Sequence, residues 1–231
     1  MWMEYPDIEE LYNIDDQFLV GADLLVKPIT GSGETSTQII FPTRDTWYDV
    51  DTMTATATAT EKATEDLKFS TVTVESDIDK IPVYQRGGSI IPRKLRLRRS
   101  SQVMTHDPYT LYVALDKDQK ASGAIYMDDE NTFDHERKGY YAEAKISVDM
   151  KNKSAIQCQV EGTNNEWIAS QPVATRMIER IVIMGLVRAP SQVYVESTST
   201  SLEFDYNEDK GILVIRKPNV SALSVWNISI S

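Results

Sequence analysis

Short runs of β-branched, aromatic and other apolar residues recur along most of the chain at intervals of about ten residues. Polar residues, glycines and prolines separate these runs. Many short strands at such a spacing are typical of β-sandwiches rather than of a parallel α/β sheet. The pattern therefore predicts an all-β fold. The predicted strands cover residues 38–41, 46–50, 71–74, 81–84, 109–115, 121–127, 141–148, 156–160, 180–184, 192–195, 201–206, 211–216 and 222–230.

The start of the chain differs from this rhythm. Residues 1–5 carry two aromatic and two methionine side chains around one charge, a composition that suits a buried strand. Residues 6–12 predict the opening of a short helix, which Asp7 is placed to cap, with Glu10 three residues later as in a capping box. Residues 18–26 then predict buried strands that break at a glycine. The apolar start also indicates that part of the protein precedes this sequence.

Residues 81–92 predict a bend between two strands. Two apolar runs with β-branched residues flank Arg86, Gly87 and Gly88. A glycine pair supplies the positive φ, or the close backbone approach, that a tight turn or bulge needs. The segment therefore predicts a β corner that holds one buried or paired arginine.

Composition limits the classes of partner. The chain has 231 residues, which is enough for one large or two small domains. Its net charge of −11 disfavours nucleic acids and anionic membranes, because like charges repel at long range. No apolar run reaches the length of about 18 residues that a membrane span needs. Cys158 is the single cysteine, so no intrachain disulfide is expected, and a small buried residue is favoured over a reactive thiol.

Residues 93–99 hold five cations in seven positions. A nucleic-acid patch is one interpretation of such a run. However, Leu95 and Leu97 alternate with the arginines, which is the period-2 pattern of a strand with one wet face. We therefore favour a structural role in which the cations find partners within the chain. A domain boundary is predicted between residues 92 and 108, and the alternating Thr/Ala run 54–60 is expected to be an exposed, variable connection.

Carboxylates are abundant but form no recognisable catalytic motif. Residues 128–134 carry four acids, for which a polar hairpin loop is favoured over a calcium site or a sugar contact, because EF-hand spacing is missing. His106 and His135 have no metal-ligand neighbours, so surface or packing roles are expected. Glycoside hydrolysis needs two carboxylates about 5 to 9 Å apart, and the sequence does not show which of its aspartates would pair. The available aspartates include Asp7, Asp15, Asp16, Asp23, Asp49, Asp51, Asp128 and Asp129. No catalytic, cofactor-binding or metal-ligating residue is assigned.

Three sequons make Asn152, Asn219 and Asn227 candidate N-glycosylation sites. Each modified asparagine would lie on the surface of a protein of the secretory pathway. Roughly one or two sequons are expected by chance in a Ser/Thr-rich chain of this length, so they support that compartment only mildly.

Several segments, taken in order, resemble glycoside hydrolase family 31. Each is weak alone, but their order and spacing extend over nearly the whole chain. The segments are residues 1–7, 16–28, 47–49, 81–92, 96–101, 107–115, 128–133, 178–183 and 216–218.

The resemblance implies a (β/α)8 catalytic barrel followed by a proximal and a distal β-sandwich domain. Residues 1–15 would be the last strand and helix of the barrel, residues 16–94 the proximal sandwich and residues 106–231 the distal sandwich. The family hydrolyses terminal α-linked glucose with retention, using two aspartates of barrel motifs that this chain lacks. The chain would therefore be the non-catalytic portion of an α-glucosidase and would be inactive alone.

The resemblance also implies the setting of such an enzyme. It would trim glucose from N-glycans in the endoplasmic-reticulum lumen, bind the glycan through the barrel, require no cofactor and pair with a non-catalytic β subunit. Two alternatives stay open for this chain. It would be a carbohydrate-binding module if Trp47, Tyr48 or Trp167 stacked on sugars, although core packing is the commoner use of such aromatics. It would be an interaction module if one of its sandwiches bound the partner subunit.

Overall fold

The computed structural model describes residues 1–56, 68–162, 164–171 and 176–231. Within these ranges the fold is all-β, as predicted. The strands are β1 (Phe18–Val20), β2 (Leu24–Val26), β3 (Ser36–Pro42), β4 (Trp47–Asp49), β5 (Phe69–Glu75), β6 (Val83–Arg86), β7 (Ser89–Arg93), β8 (Tyr109–Ala114), β9 (Lys120–Met127), β10 (Ala142–Asp149), β11 (Ala155–Glu161), β12 (Met177–Met184), β13 (Val193–Val195), β14 (Thr200–Ser201), β15 (Glu203–Asn207), β16 (Ile212–Ser221) and β17 (Trp226–Ile230).

The helices of these ranges are short. The α-helices are α1 (Asp134–Lys138) and α2 (Asn165–Ser170), and single 3₁₀ turns form at Glu9–Leu11 and Ser101–Met104. No helix in the described part of the chain has the length and apolar character needed to cross a membrane.

The strands form three sheets. A four-stranded sheet has the order β1-β2-β6-β4, and β3 pairs with β5. Together these two sheets enclose one core, to which Leu25, Phe41, Trp47 and Tyr84 contribute. An eleven-stranded sheet has the order β14-β13-β17-β11-β10-β9-β7-β8-β12-β16-β15 and surrounds the second, larger core. Burial of one side chain in two along β9 and β10 gives each of these strands one core face and one wet face.

A small third cluster joins the four-stranded sheet to the eleven-stranded one. Tyr48 of β4 packs with Ala114, Met184 and Ile212, and its hydroxyl donates to the Leu115 carbonyl at 2.7 Å. Gly185 leaves room for this ring, because a Cβ atom there would lie 2.0 Å from the Tyr48 hydroxyl. We call this contact the junction.

The strand registers define the opposite end of the large sheet. β8 ends at the junction, β12 runs parallel to it, and β7 runs antiparallel to it. The amino ends of β8 and β12 and the carboxyl ends of β7 and β9 therefore lie together, away from the junction. We call this the far end. It carries the loop at 94–108 and the loop at 128–141.

The sheet pairing crosses the domain limit expected from the sequence. β6 belongs to the four-stranded sheet and β7 to the eleven-stranded sheet, so the change of sheet falls in the Arg86 corner. By their hydrogen bonds, residues 89–93 thus belong to the eleven-stranded sheet. The division into residues 16–94 and 106–231 stays a prediction.

Two expectations for the start of the chain are wrong. Residues 1–5 form no strand: residues 2–4 lie in a turn, and no strand of the described ranges pairs with the segment. Asp7 does not cap a helix: the 3₁₀ turn begins at Glu9, and no side chain caps it. Apolar burial still holds this segment in place, because Tyr5, Ile8 and Leu11 lie in the first core.

Two further expectations meet the structure only in part. The strands expected over residues 18–26 form, but β1 is not buried, because Phe18 and Val20 are exposed. In the Thr/Ala run, Ala55 forms a bridge with Tyr48, whereas residues 57–60 lie outside the described residues.

Candidate functional site

The corner between β6 and β7 confirms the predicted bend. Gly88 has a φ of +90°, and a Cβ atom on Gly87 would lie 3.0 Å from the Leu115 carbonyl oxygen. The backbone N–H groups of the two glycines donate to the carbonyls of Thr46 and Ala114, at 2.6 and 2.8 Å. The glycine pair therefore lets the chain pass closely from one sheet to the next.

Arg86 is paired, as expected. Its Nε lies 3.1 Å from Asp45, its Nη1 lies 3.5 Å from Glu4, and its guanidinium lies 5.5 Å from the centre of the Tyr5 ring. Burial opposes the charge of Arg86, but Tyr5, Asp45 and Glu4 outweigh this, so the pKa of Arg86 lies above its ordinary value. The Tyr5 hydroxyl also donates to Asp45 at 2.9 Å. This network ties the first residues of the chain to the corner.

A cleft of about 450 Å³ lies beside the corner. Its walls include Asp23, Asp45, Arg86 and Asp116. Burial raises the pKa of Asp23, while Arg86 opposes that rise and Glu4 adds to it. A carboxylic acid with a raised pKa is half of what glycoside hydrolysis requires. The nearby carboxylates of Asp45 and Glu4, however, are both bound to Arg86, so the geometry serves to fix the corner.

The remaining candidate aspartates lie on separate elements. Asp7 pairs with Arg44 at 3.4 Å, and Asp16 pairs with the buried Lys27. Asp49 ends β4 and accepts the backbone N–H groups of Asp51 and Thr52, at 2.9 and 2.6 Å. Asp7 and Asp16 thus form ion pairs, and Asp49 stabilises the turn that follows β4.

For the basic residues 93–99, the predicted strand is wrong and the predicted intramolecular partners are confirmed. No strand continues past Arg93, and Leu95 and Leu97 are exposed rather than turned inward. The cations do find intramolecular partners: Arg98 binds both carboxylate oxygens of the buried Asp107, at 2.9 and 2.8 Å. The alternation of leucine and arginine indicated a strand with buried leucines. Instead, Asp107 and Glu179 bind the arginines, and the leucines are exposed to solvent.

The acidic segment is a polar loop after β9, as favoured. Asp129 accepts hydrogen bonds from the backbone of Asn131 and Thr132 and from the Thr132 hydroxyl. The Thr132 bonds lower the pKa of Asp129, and the Asn131 bond adds to the effect. No group of three or more His, Cys, Asp or Glu side chains in the described ranges is arranged to hold a metal ion. His135 contacts the Phe133 ring and the Thr132 carbonyl in the same loop.

Two of the three candidate sugar-stacking aromatics are buried. Trp47 lies in the first core, and Tyr48 lies in the junction. The sequence could not exclude a sugar platform there, because both residues occur in a polar context. Trp167 is partly buried and stacks on Tyr140 with the ring centres 6.1 Å apart.

The sequon asparagines differ in their surroundings. Asn152 is exposed in the turn between β10 and β11, and Asn219 is exposed in β16. Asn227 lies in β17, between two neighbouring strands, and its amide donates to Glu196 at 3.2 Å. Glycosylation at any of them stays a prediction.

Cys158 is buried in the larger core, as favoured, and burial raises the pKa of its thiol to about 12.

The four-stranded sheet has an open apolar face that was not predicted from the sequence. Leu19, Leu25 and Tyr84 face the first core, so their neighbours along the strands face the other way. The registers place these neighbours in two rows, one of Phe18, Val26 and Val83 and one of Val20, Leu24 and Gln85. Gln85 is buried and donates to the Tyr112 carbonyl of the eleven-stranded sheet. We call the apolar residues of these rows the open sheet face: Phe18, Val20, Leu24, Val26 and Val83. Phe18 is 46% exposed and Val20 is 53% exposed.

Comparison with known proteins identifies the class. The family description "Glycosyl hydrolase family 31 C-terminal domain" matches residues 1–91. The resemblance to glycoside hydrolase family 31 expected from the sequence is thus confirmed, with residues 1–91 matching the C-terminal domain of that family.

Individual relatives show which members of the family the chain is similar to. The chain is 34% identical, over 95% of its length, to the neutral alpha-glucosidase AB of Dictyostelium discoideum. It spans 22% of that relative's length. The crystal structure of a glucosidase II alpha subunit in an alpha3-Glc2-bound form covers the whole chain with a TM-score of 0.82 and 30% identity. A heterodimeric complex of the catalytic subunit of ER glucosidase II with the binding domain of its regulatory subunit matches with a TM-score of 0.81 and 29% identity.

Proposed function

We propose that this chain is the C-terminal, non-catalytic portion of a retaining α-glucosidase that trims terminal glucose from N-glycans. The observation that carries this proposal is the match of the whole chain to a glucosidase II alpha subunit, of which it spans 25%. Enzymes of this kind hydrolyse glycosides with a pair of carboxylates. In this proposal both carboxylates belong to the remaining part of the protein.

The role of the portion is to brace the catalytic barrel. The open sheet face supports this role, since exposed apolar patches with adjacent rows on one sheet usually mark interaction sites. Trp2 and Met3 add two large exposed side chains near the start of the chain. The Arg86 network supports the role as well, because it holds that start against the corner.

The setting follows from the same relatives. The heterodimeric relative is described as an ER glucosidase II with a catalytic and a regulatory subunit. We extend this to the lumenal location, the glycan substrate and the regulatory subunit as a partner.

A carbohydrate-binding module is the weaker candidate. Trp47 and Tyr48 are buried, and the Trp167 ring stacks on Tyr140. A sugar platform needs an open aromatic face, so these residues give it no support.

The isolated chain provides the test. Its hydrolysis of a chromogenic α-glucoside should equal that of buffer. Measurable turnover that disappears in an Asp23→Asn variant would show that the cleft beside Arg86 is catalytic, and the proposal would fail.

A further inference from the structure

The three sequon asparagines differ in how the fold uses their side-chain amides. An N-linked glycan replaces one of the two hydrogens on Nδ2, so a bond that this nitrogen already donates is lost or constrained. Nδ2 of Asn152 lies 3.2 and 3.0 Å from the two carboxylate oxygens of Asp149. Nδ2 of Asn227 lies 3.2 Å from Glu196. Asn219 is exposed, and its amide forms no hydrogen bond with any residue that the structure describes.

Asn219 lies in a bulge of β16. Ile178 of β12 pairs with Val220. Two residues further along β12, Arg180 pairs with Arg216. Three residues of β16 thus oppose one residue of β12, and the extra residues of such a bulge leave the ladder and re-aim their side chains.

The backbone of the bulge directs two side chains to solvent. Lys217 and Asn219 have φ values of +46° and +53°, on either side of Pro218. The proline is buried and has no N–H to lose from the ladder, whereas its two neighbours are exposed. β15 pairs with β16 only as far as Arg216, so no strand of the described ranges borders the bulge on that side. A bulky substituent on Asn219 therefore meets no neighbouring strand there.

Position also separates the sequons. Asn219 lies at the far end, because the carboxyl end of β16 pairs with the amino end of β12. Asn152 lies at the opposite end, where its turn forms a backbone hydrogen bond with Gln119. Next to it, Lys151 pairs with Asp118, a wall residue of the cleft beside the corner. A glycan at the far end thus stays away from the four-stranded sheet, on which we place the catalytic barrel.

The hydroxyl of the Asn219 sequon is enclosed in the folded chain. Ser221 is 3% exposed, and its Oγ accepts from the Leu223 N–H at 3.1 Å. Because the serine or threonine of a sequon is part of the signal for modification, the glycan must be added before β16 pairs with β12. All three sequons are accessible at that stage. The fold afterwards favours the chains whose glycan displaces no hydrogen bond.

We propose that Asn219 carries the N-linked glycan of the folded protein. This rests on the proposed function, which gives the chain a lumenal location. The donor is an oligosaccharide bound to a lipid pyrophosphate. The amide nitrogen of Asn219 loses a proton and forms a bond to C1 of the oligosaccharide, while the bond between C1 and the pyrophosphate oxygen breaks. The lipid pyrophosphate is the leaving group.

The test expresses the 231-residue chain in a eukaryotic cell, behind a cleavable secretion signal and a tag that carries one added sequon. The chain is recovered from the lumen, and its glycopeptides are mapped by mass spectrometry before and after brief proteolysis. In the protease-resistant pool, Asn219 should be modified in most molecules, and Asn152 and Asn227 in few. Asn219→Gln should remove the glycan from this pool, whereas the matched control Asn152→Gln should leave it in place.

Two outcomes overturn the assignment. One is an unmodified Asn219 in molecules whose tag sequon is modified, measured before proteolysis so that the result does not depend on how much of the chain folds. The other is a protease-resistant pool in which Asn152 or Asn227 is modified as fully as Asn219, because the fold then does not distinguish them. Either outcome leaves the bracing role intact, since the added signal supplies the compartment and that role is judged from hydrolysis.

Discussion

At the scale of single residues, Asp107 is the carboxylate that organises the far-end loop. Its side chain is buried, and the hydrogen bonds from Arg98 hold its pKa below the ordinary value of 3.8, against the effect of burial. A carboxylate with a depressed pKa in the folded state stabilises the fold above its unfolded pKa. That contribution is lost as the pH falls through the folded pKa.

Asp107→Asn should therefore lower the melting temperature at neutral pH. The difference from the unaltered chain should shrink as the pH falls below about 4, because the unfolded state then binds the proton, and it should be gone once the pH lies below the folded pKa of Asp107 as well. Thermal unfolding followed by circular dichroism measures this. Asp205→Asn, which removes an exposed pair with Arg216, is the control and should change little. An equal loss for both variants would mean that Asp107 has no special role.

Cys158 allows a second test at this scale. A thiol with a pKa of about 12 in a closed core has almost no thiolate at neutral pH. The native chain should not react with an aromatic disulfide reagent at about pH 8, and the denatured chain should react at its single cysteine. Fast reaction of the native chain would contradict the packing of β11.

At the scale of elements, local patterns predicted the strands well. Alternating apolar residues in β9 and β10 fix which face is buried, and this signal is contained in the segment itself. The Arg86 corner was predicted for the same reason. Its partners Glu4 and Asp45 were not, because they come from distant positions in the chain.

The errors also have physical causes. Residues 93–99 show a strand pattern, but Asp107 and Glu179 hold their arginines, and no local signal announces a partner as distant as Glu179. The helices α1 and α2 were missed because they are too short to show a helical period. Residue types typical of helix ends do occur in the sequence at both helices. Asn164 caps α2 by accepting from the Trp167 N–H at 2.9 Å, and Gly139 ends α1 with a φ of +67°.

The contact between β7 and β9 yields a prediction for one glycine. A Cβ atom on Gly123 would lie 2.2 Å from the Ile90 carbonyl oxygen, so no other residue fits without moving the backbone. Gly123→Ala should cost about 2 kcal/mol or more in the free energy of unfolding, as measured by urea denaturation. Ser122→Ala, on the exposed face of the same strand, should cost far less. Similar losses for the two variants would contradict this close approach.

At the scale of the whole molecule, the open sheet face is an apolar surface that faces away from the first core. It could not be found from the sequence, since exposure depends on which sheets cover which strands. An apolar run has the same sequence pattern whether another sheet or another polypeptide covers it or not.

The bracing role predicts a defined effect of the open sheet face. In a fusion of this chain to the remainder of the Dictyostelium discoideum relative, Val20→Asp should lower the temperature at which α-glucosidase activity is lost, because a charge would be buried at the contact. Val225→Asp, at an exposed site elsewhere, should have no such effect. Equal inactivation temperatures would remove the open sheet face from the contact.

The activity of that fusion tests the central claim most directly. The relative would carry this chain in place of the 22% of its length that matches, and hydrolysis of a chromogenic α-glucoside would be measured. The account predicts turnover by the fusion, and none by the truncated relative or by the 231-residue chain alone. A fusion no more active than the truncated relative would contradict the claim that this chain braces a family 31 α-glucosidase.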